Sequence, residues 1–179
     1  SGYRFRGSGP MSSNTLLSSE AIAKIDRAIA KYPPDHRESA VMAALTIAQS
    51  EQGHLTTELM DFVAQRIGMP PVAVYEVATF YTMYDLQPVG KFKLSICTNL
   101  PCALRGANDA AEHLKQKLGI GWNETTPDGR FTLKEGECFG ACGDAPVMLV
   151  NNKKMVSFMS SERLDKFAAQ PDQFLSEQP

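Results

Sequence analysis

The spacing of apolar residues changes once along this chain, at "DLQPVGKFKLSICT" (Asp85 to Thr98), and that change limits the fold to two dissimilar halves. Before it, apolar positions recur every three or four residues, the period of a helix with one buried face. Ser18 or Ser19 is placed to cap a first helix with Ile22, Ile25, Ala28 and Ile29 inward, and Tyr32-Pro33-Pro34 stops it. Asp35 and Glu38 have capping-box spacing ahead of a second face, Val41, Met42, Leu45 and Ala48, which ends at Gly53. Thr56 or Thr57 opens a third segment with Leu59, Met60, Val63 and Ile67 inward, closed by Gly68. Pro71 suits the first turn of a fourth, which carries Val74, Val77, Ala78 and Tyr81. Residues 18–90 read as a small helical bundle.

From Phe92 the period is two. "FKLSI" alternates as a half-buried strand does, and "RFTLKE" alternates again. "VMLV" is a short apolar strand, and Asn151-Asn152 reads as a hairpin turn into "KMVSF". After the first strand comes "ALRGANDAAEHLKQKLG", an amphipathic helix with Ala107, Ala110, Ala111, Leu114 and Leu118 on one side and Gly119 at its end. A closing helix runs from about Ser161 to Ala169. The order β-α-β-β-α is that of a thioredoxin-like layer, a short mixed sheet with helices packed on it. The expected fold class is α+β, with a helical bundle over residues 18–90 followed by a thioredoxin-like domain over 91–179.

Residues 1–17 read as an expression-tag remnant ending before Met11, or as a disordered native arm; they lack a signal-peptide core. A net charge of -2 gives no global attraction to nucleic acid or to anionic lipid. No apolar run approaches the roughly 20 residues that span a bilayer, so direct membrane insertion is not expected. Four cysteines in 179 residues are too few for a disulfide-stapled scaffold, which argues for a reducing compartment. No G-x-G-x-x-G follows a strand, so the chain has no evident dinucleotide site of its own.

The cysteines form two close pairs, Cys97-x4-Cys102 and Cys138-x3-Cys142. Cys97 ends the first strand, Cys102 lies in the turn opening the next helix, and the other two occupy the loop between later strands. Both loops can therefore meet at one edge of the sheet. Gly136, Gly140 and Gly143 let backbone N–H groups approach a bound thiolate or sulfide. The helix start beside Cys102 favours a thiolate there, and Pro101 and Pro146 stiffen the loops. A 2Fe-2S cluster needs four thiolates and tolerates varied spacing. Structural zinc also uses close cysteine pairs and competes as a reading. A dithiol oxidoreductase wants C-x2-C, which the x4 spacing does not give. Four ordinary buried thiols are the plainest reading, and their pairing counts against it. His36, His54 and His113 lie outside both loops, which disfavours a mixed histidine–cysteine centre. Arg105 is the nearest candidate cation in sequence, and it also fits a solvated helix position.

"VYEVATFYTMY" (Val74 to Tyr84), "PVGK" (Pro88 to Lys91), "CTNLPC" (Cys97 to Cys102), "TTPDGRFTL" (Thr125 to Leu133) and "ECFGACGDAP" (Glu137 to Pro146) follow in an order that resembles one family. It is the small 2Fe-2S subunit of the flavoprotein module of respiratory complex I, NADH:quinone oxidoreductase. The resemblance runs from about Ser18 to the C-terminus. It implies one 2Fe-2S cluster per chain on Cys97, Cys102, Cys138 and Cys142, in a thioredoxin-like ferredoxin domain over 91–179. It further implies a partner, the NADH-binding subunit that carries FMN and a 4Fe-4S cluster, and a place in the peripheral arm on the cytoplasmic side of the bacterial inner membrane, or on the matrix side in mitochondria. The chain would then serve an enzyme while holding no catalytic site itself, and its cluster would have a low potential. NAD-linked hydrogenases and formate dehydrogenases share this module, and "VYEVATFYTMY" favours complex I. In that stretch Tyr75, Phe80, Tyr81, Met83 and Tyr84 suit either core packing or a partner surface.

Overall fold

The computed structural model describes residues 16–177, so residues 1–15 of the expected arm lie outside what it describes. The chain separates into two compact units between Pro88 and Val89.

The first unit is helical. Helix α1 (Ser19–Ile29) starts where Ser18 Oγ accepts the Ala21 N–H at 3.1 Å. Glu51 fixes that start from the far end of α2 (Val41–Gln52), accepting the Ser18 N–H and hydroxyl at 2.6 Å each. Ahead of α2 the expected capping box does not form. Pro34 leads a 3-10 stretch to Ala40 with a kink at His36 (φ -131°), and no side chain caps it. The Asp35 and Glu38 carboxylates flank the His36 ring instead, at 3.6 and 3.8 Å. Two consecutive prolines favour that tighter turn, because the second fixes its φ while the first is held extended (ψ 155°). Helix α3 (Thr57–Ile67) is capped by Thr56, whose hydroxyl accepts the Leu59 N–H, and Gly68 closes it at φ 88°. Helix α4 (Pro71–Phe80) follows, with Pro71 in its first turn.

Ile25, Leu45, Leu55, Leu59, Val63 and Val74 are fully buried at the centre of the bundle, each stabilising it by roughly 1.5–3 kcal/mol relative to exposure. Leu17 is buried in the same core, so packed structure begins ahead of α1. Beyond α4 the chain turns back inward. The Tyr84 hydroxyl donates to the Met42 carbonyl at 2.9 Å, and the Gln49 amide spans the segment, donating to Met83 O at 3.0 Å and accepting the Asp85 N–H at 2.7 Å.

The second unit is a five-stranded sheet in the order β2-β3-β1-β4-β5. Its strands are β1 (Phe92–Cys97), β2 (Glu124–Thr125), β3 (Phe131–Gly136), β4 (Met148–Val150) and β5 (Lys154–Val156). β1 runs parallel to β3 and antiparallel to β4. Central placement buries every residue of β1, including Lys93 and Ser95, where alternation alone suggests one wet face. Phe92, Leu94 and Ile96 share a core with Ala110, Ala111 and Leu114 of α6 (Ala107–Leu118) and with Leu164 and Phe167 of α7 (Ser161–Ala169).

The helix after β1 is broken. A single turn, α5 (Leu100–Ala103), is separated from α6 by Gly106 at φ 86°. A closing turn of helix, α8 (Pro171–Ser176), and the edge strand β2 are further elements that periodicity did not indicate. The hairpin turn is as read: Asn151 and Asn152 adopt φ 52° and 55° in a three-residue loop between β4 and β5, closed by the Lys153 N–H donating to Val150 O at 3.0 Å. At the entry to β1, the Gly90 N–H donates to Thr132 Oγ1 at 2.6 Å. A Cβ at Gly90 would lie 2.9–3.0 Å from the backbone of Gly129 and Arg130, so only glycine fits there.

Candidate metal centre

Parallel pairing puts the two cysteine loops at one end of the sheet. Cys97 and Gly136 are the last registered residues of β1 and β3. The Thr98 N–H donates to Gly136 O at 3.2 Å, and the Cys97 N–H donates to Val147 O at 3.1 Å, ahead of β4. The loop after β1 is then tied to the loop after β3 by side chains. Thr98 Oγ1 donates to Glu135 at 2.6 Å, and the Asn99 amide donates to Glu137 at 3.3 Å. Asn99 O accepts the N–H groups of Cys102 and Ala103, winding the turn that brings Cys102 inward.

Cys97 and Cys102 are wholly buried in a small satellite core with Ala107, Ala145 and Val147, against which Phe139, Ala141 and Cys142 pack. Cys97 and Cys142 are the sulfur neighbours that act on the Cys102 thiol. Burial above all, then hydrogen bonding and charge repulsion from its sulfur neighbours, pushes the Cys102 thiol up to about 12. The helix start therefore does not make Cys102 a thiolate, as position alone suggested; desolvation outweighs the partial charge of one short turn. Cys138 is the exposed member of the set, and its sulfur accepts the Gly140 N–H at 3.4 Å. So the fold places Cys97 and Cys142 beside Cys102, while Cys138 is exposed. Arg105 is exposed.

The donor set suits an iron–sulfur group. All four donors are soft, Cys97 and Cys102 are buried, Cys142 is half-buried, and the buried neighbours Ala107, Ala145 and Val147 are small. Among the described residues no group of three or more His, Cys, Asp or Glu side chains is placed to hold a metal ion.

Sequence reasoning did not find the residues that shape this pocket. Thr98, Glu137 and Phe139 lie in loops with no periodic signal, and Glu135, though within an alternating strand, finds its partner Thr98 across the sheet end. Around the pocket Leu100 is 69% and Leu104 79% exposed. The aromatic set of the first unit divides: Tyr84 is core, whereas Phe80 is 77% exposed.

Residues 25–170 match the sequence pattern of the thioredoxin-like [2Fe-2S] ferredoxin family. An NADH-quinone oxidoreductase subunit of Rhizobium meliloti is 50% identical over 129 residues, 72% of this chain and 76% of that protein. The corresponding NADH-quinone oxidoreductase subunit of Rickettsia conorii is 46% identical, covering 69% of this chain and 75% of its own length. The mitochondrial NADH dehydrogenase [ubiquinone] flavoprotein 2 of Dictyostelium discoideum is 42% identical over 76% of this chain, which spans 56% of that protein. Among solved structures, a chain of an NAD+-reducing [NiFe]-hydrogenase superposes with a TM-score of 0.63 at 21% identity. The match takes in 78% of this chain and 22% of that one, and it is a likeness of fold.

Proposed function

We propose a function from one premise: the chain belongs to the thioredoxin-like [2Fe-2S] ferredoxin family. It is the one-electron-transfer subunit of an NADH:quinone oxidoreductase of the complex I type, counterpart of the Rhizobium meliloti and Rickettsia conorii proteins, with Cys97, Cys102, Cys138 and Cys142 holding one 2Fe-2S cluster. The observation that carries this reading is the burial of Cys97 and Cys102 in one small core, with Cys142 packed against it, where β1 and β3 end, in a chain 50% identical over 129 residues to an NADH-quinone oxidoreductase subunit.

When bound, the cluster supplies reversible exchange of a single electron. The chain's residues do the rest. Cys97, Cys102, Cys138 and Cys142 would hold the cluster as thiolates, so binding would release their protons and would weaken as pH falls. Ala107, Ala145 and Val147 keep water from the buried sulfurs. The Gly140 N–H, aimed at the Cys138 sulfur, offsets part of the negative charge at the exposed end. Four thiolates give a 2Fe-2S site a formal charge of about -2 oxidised and about -3 reduced, which in a dry pocket favours the oxidised form and a low potential.

The electron's other station is the partner that binds NADH and carries FMN and a 4Fe-4S cluster. The relatives' membership of NADH dehydrogenases supports this, as do the exposed apolar side chains of Leu100, Leu104 and Phe80, suited to a protein surface. Among the described residues no helix is long and apolar enough to cross a membrane. The place proposed for the chain is the peripheral arm, on the cytoplasmic side in a bacterium. Purification of the chain from its native membranes tests the assembly. A flavin-containing, NADH-oxidising complex is expected to accompany it. Recovery with a [NiFe] centre instead would favour the hydrogenase reading raised by the fold likeness.

A further inference from the structure

The seven-residue path from Gly136 to Cys142 contains one large side chain, Phe139, and it turns inward while its neighbour Cys138 faces solvent. Phe139 folds back over Gly136. A Cβ placed on Gly136 would overlap the Phe139 ring at Cζ, lie 3.0 Å from its Cε2 and come within 3.1 Å of Ile96 O. The ring therefore occupies the space that any other residue at 136 would fill. Beyond Gly136 it packs against the satellite core that contains Cys97 and Cys102. Gly140, at φ 74°, turns the chain straight after the ring and sends its N–H to the Cys138 sulfur.

We propose that Phe139, seated on Gly136, is the positioning residue of the site: its ring anchors the loop that presents Cys138 and Cys142, and it covers the buried thiols of Cys97 and Cys102 against water. This rests on the four-cysteine reading for the cluster, and it adds to that reading a specific apolar lid. The chemistry is that of packing. An aromatic ring held in a fitted recess fixes a short loop that has no hydrogen-bonded ladder of its own, and it lowers the local dielectric around the sulfurs. Loosening the loop and admitting water should then act together. The cluster should be lost faster to a chelator, and its midpoint should rise as solvent stabilises the reduced, more negative form.

The test compares the full chain with its Phe139→Ala and Phe139→Leu variants, Leu retaining bulk. In the metal-free protein, dithionitrobenzoate titrates the thiols without any reference to iron. Phe139→Ala is expected to expose the two slow thiols, raising their rate about tenfold or more, with Leu restoring most of the protection. In the cluster-loaded protein, Phe139→Ala should shorten the lifetime against chelator and shift the EPR-monitored midpoint upward, again with rescue by Leu. Thermal unfolding of each variant reports whether the domain itself remains folded. Unchanged slow-thiol rates in folded Phe139→Ala, or an unchanged midpoint and lifetime, would overturn the proposal. Failure of the four-cysteine reading would look different, with Cys102→Ser keeping a full cluster while Phe139→Ala still uncovers the buried thiols.

Discussion

Cys97 and Gly136 stand opposite one another as the last registered pair of two parallel strands. The chain therefore leaves β1 and β3 in the same direction, with Cys97 and Cys102 on one exit and Cys138 and Cys142 on the other. This relationship brings two pairs 36 residues apart, from Cys102 to Cys138, to the same end of the sheet.

The four cysteines should not be equivalent. Cys102 is buried against two other sulfurs, while Cys138 is exposed. Cys102→Ser is expected to abolish the visible absorption of the cluster, because serine leaves a buried hydroxyl beside two thiolates. Cys138→Ser should retain a cluster with altered EPR g-values, since an alkoxide ligand at the solvent-facing end is tolerated. Iron analysis with EPR of the two variants checks this; equal loss would contradict it.

Gly90→Ala should destabilise the second unit. The new methyl would press on the Gly129 and Arg130 backbone at 2.9–3.0 Å, and backbone cannot swing aside as a flexible side chain can. A cost of about 1–3 kcal/mol is expected, read as a lower denaturation midpoint with the slope unchanged.

Gln49→Leu tests the return of the chain after α4. The amide serves Met83 O and the Asp85 N–H at once, and Asp85 is buried. Leaving both backbone groups without it should cost about 1–3 kcal/mol in urea unfolding.

Asp26 supplies a pH-dependent contribution to the first unit. A bidentate hydrogen-bonded pairing with Arg66 holds its carboxyl below the usual range, so its folded pKa is depressed. Its contribution is present above the unfolded value near about 3.9 and disappears as pH falls through the lower folded value. Both partners are over two-fifths exposed (41% and 46%), which limits the effect to about 1 kcal/mol or less. Asp26→Asn should lower the urea midpoint at neutral pH and match the parent once Asp26 is protonated in both states.

Local signals carried much of the fold. Ser18, Thr56, Gly53, Gly68 and Pro71 start and stop helices through bonds to their own neighbours, and all five act in the structure as their types suggest. Where the outcome depended on distant contacts, the sequence was mute or misleading. β1 alternates in polarity yet is buried throughout, Lys93 and Ser95 included, at the centre of the sheet. β2 is two residues long, too short for any period to register. Gly106 looked tolerable within one helix, and its left-handed φ instead splits off the turn that carries Cys102. At the site, strand order and a crossover helix predicted that the cysteine loops meet. The inward turn of Phe139 and the exposure of Cys138 follow from packing within a loop that has no repeat to read.

The most direct test is metal and sulfide analysis of the purified protein, joined to EPR of the dithionite-reduced sample. Two irons and two acid-labile sulfides per chain, a brown oxidised protein, and a one-electron signal that develops only at potentials below zero volts are predicted. A colourless protein holding one zinc per chain and giving no signal on reduction would contradict the account.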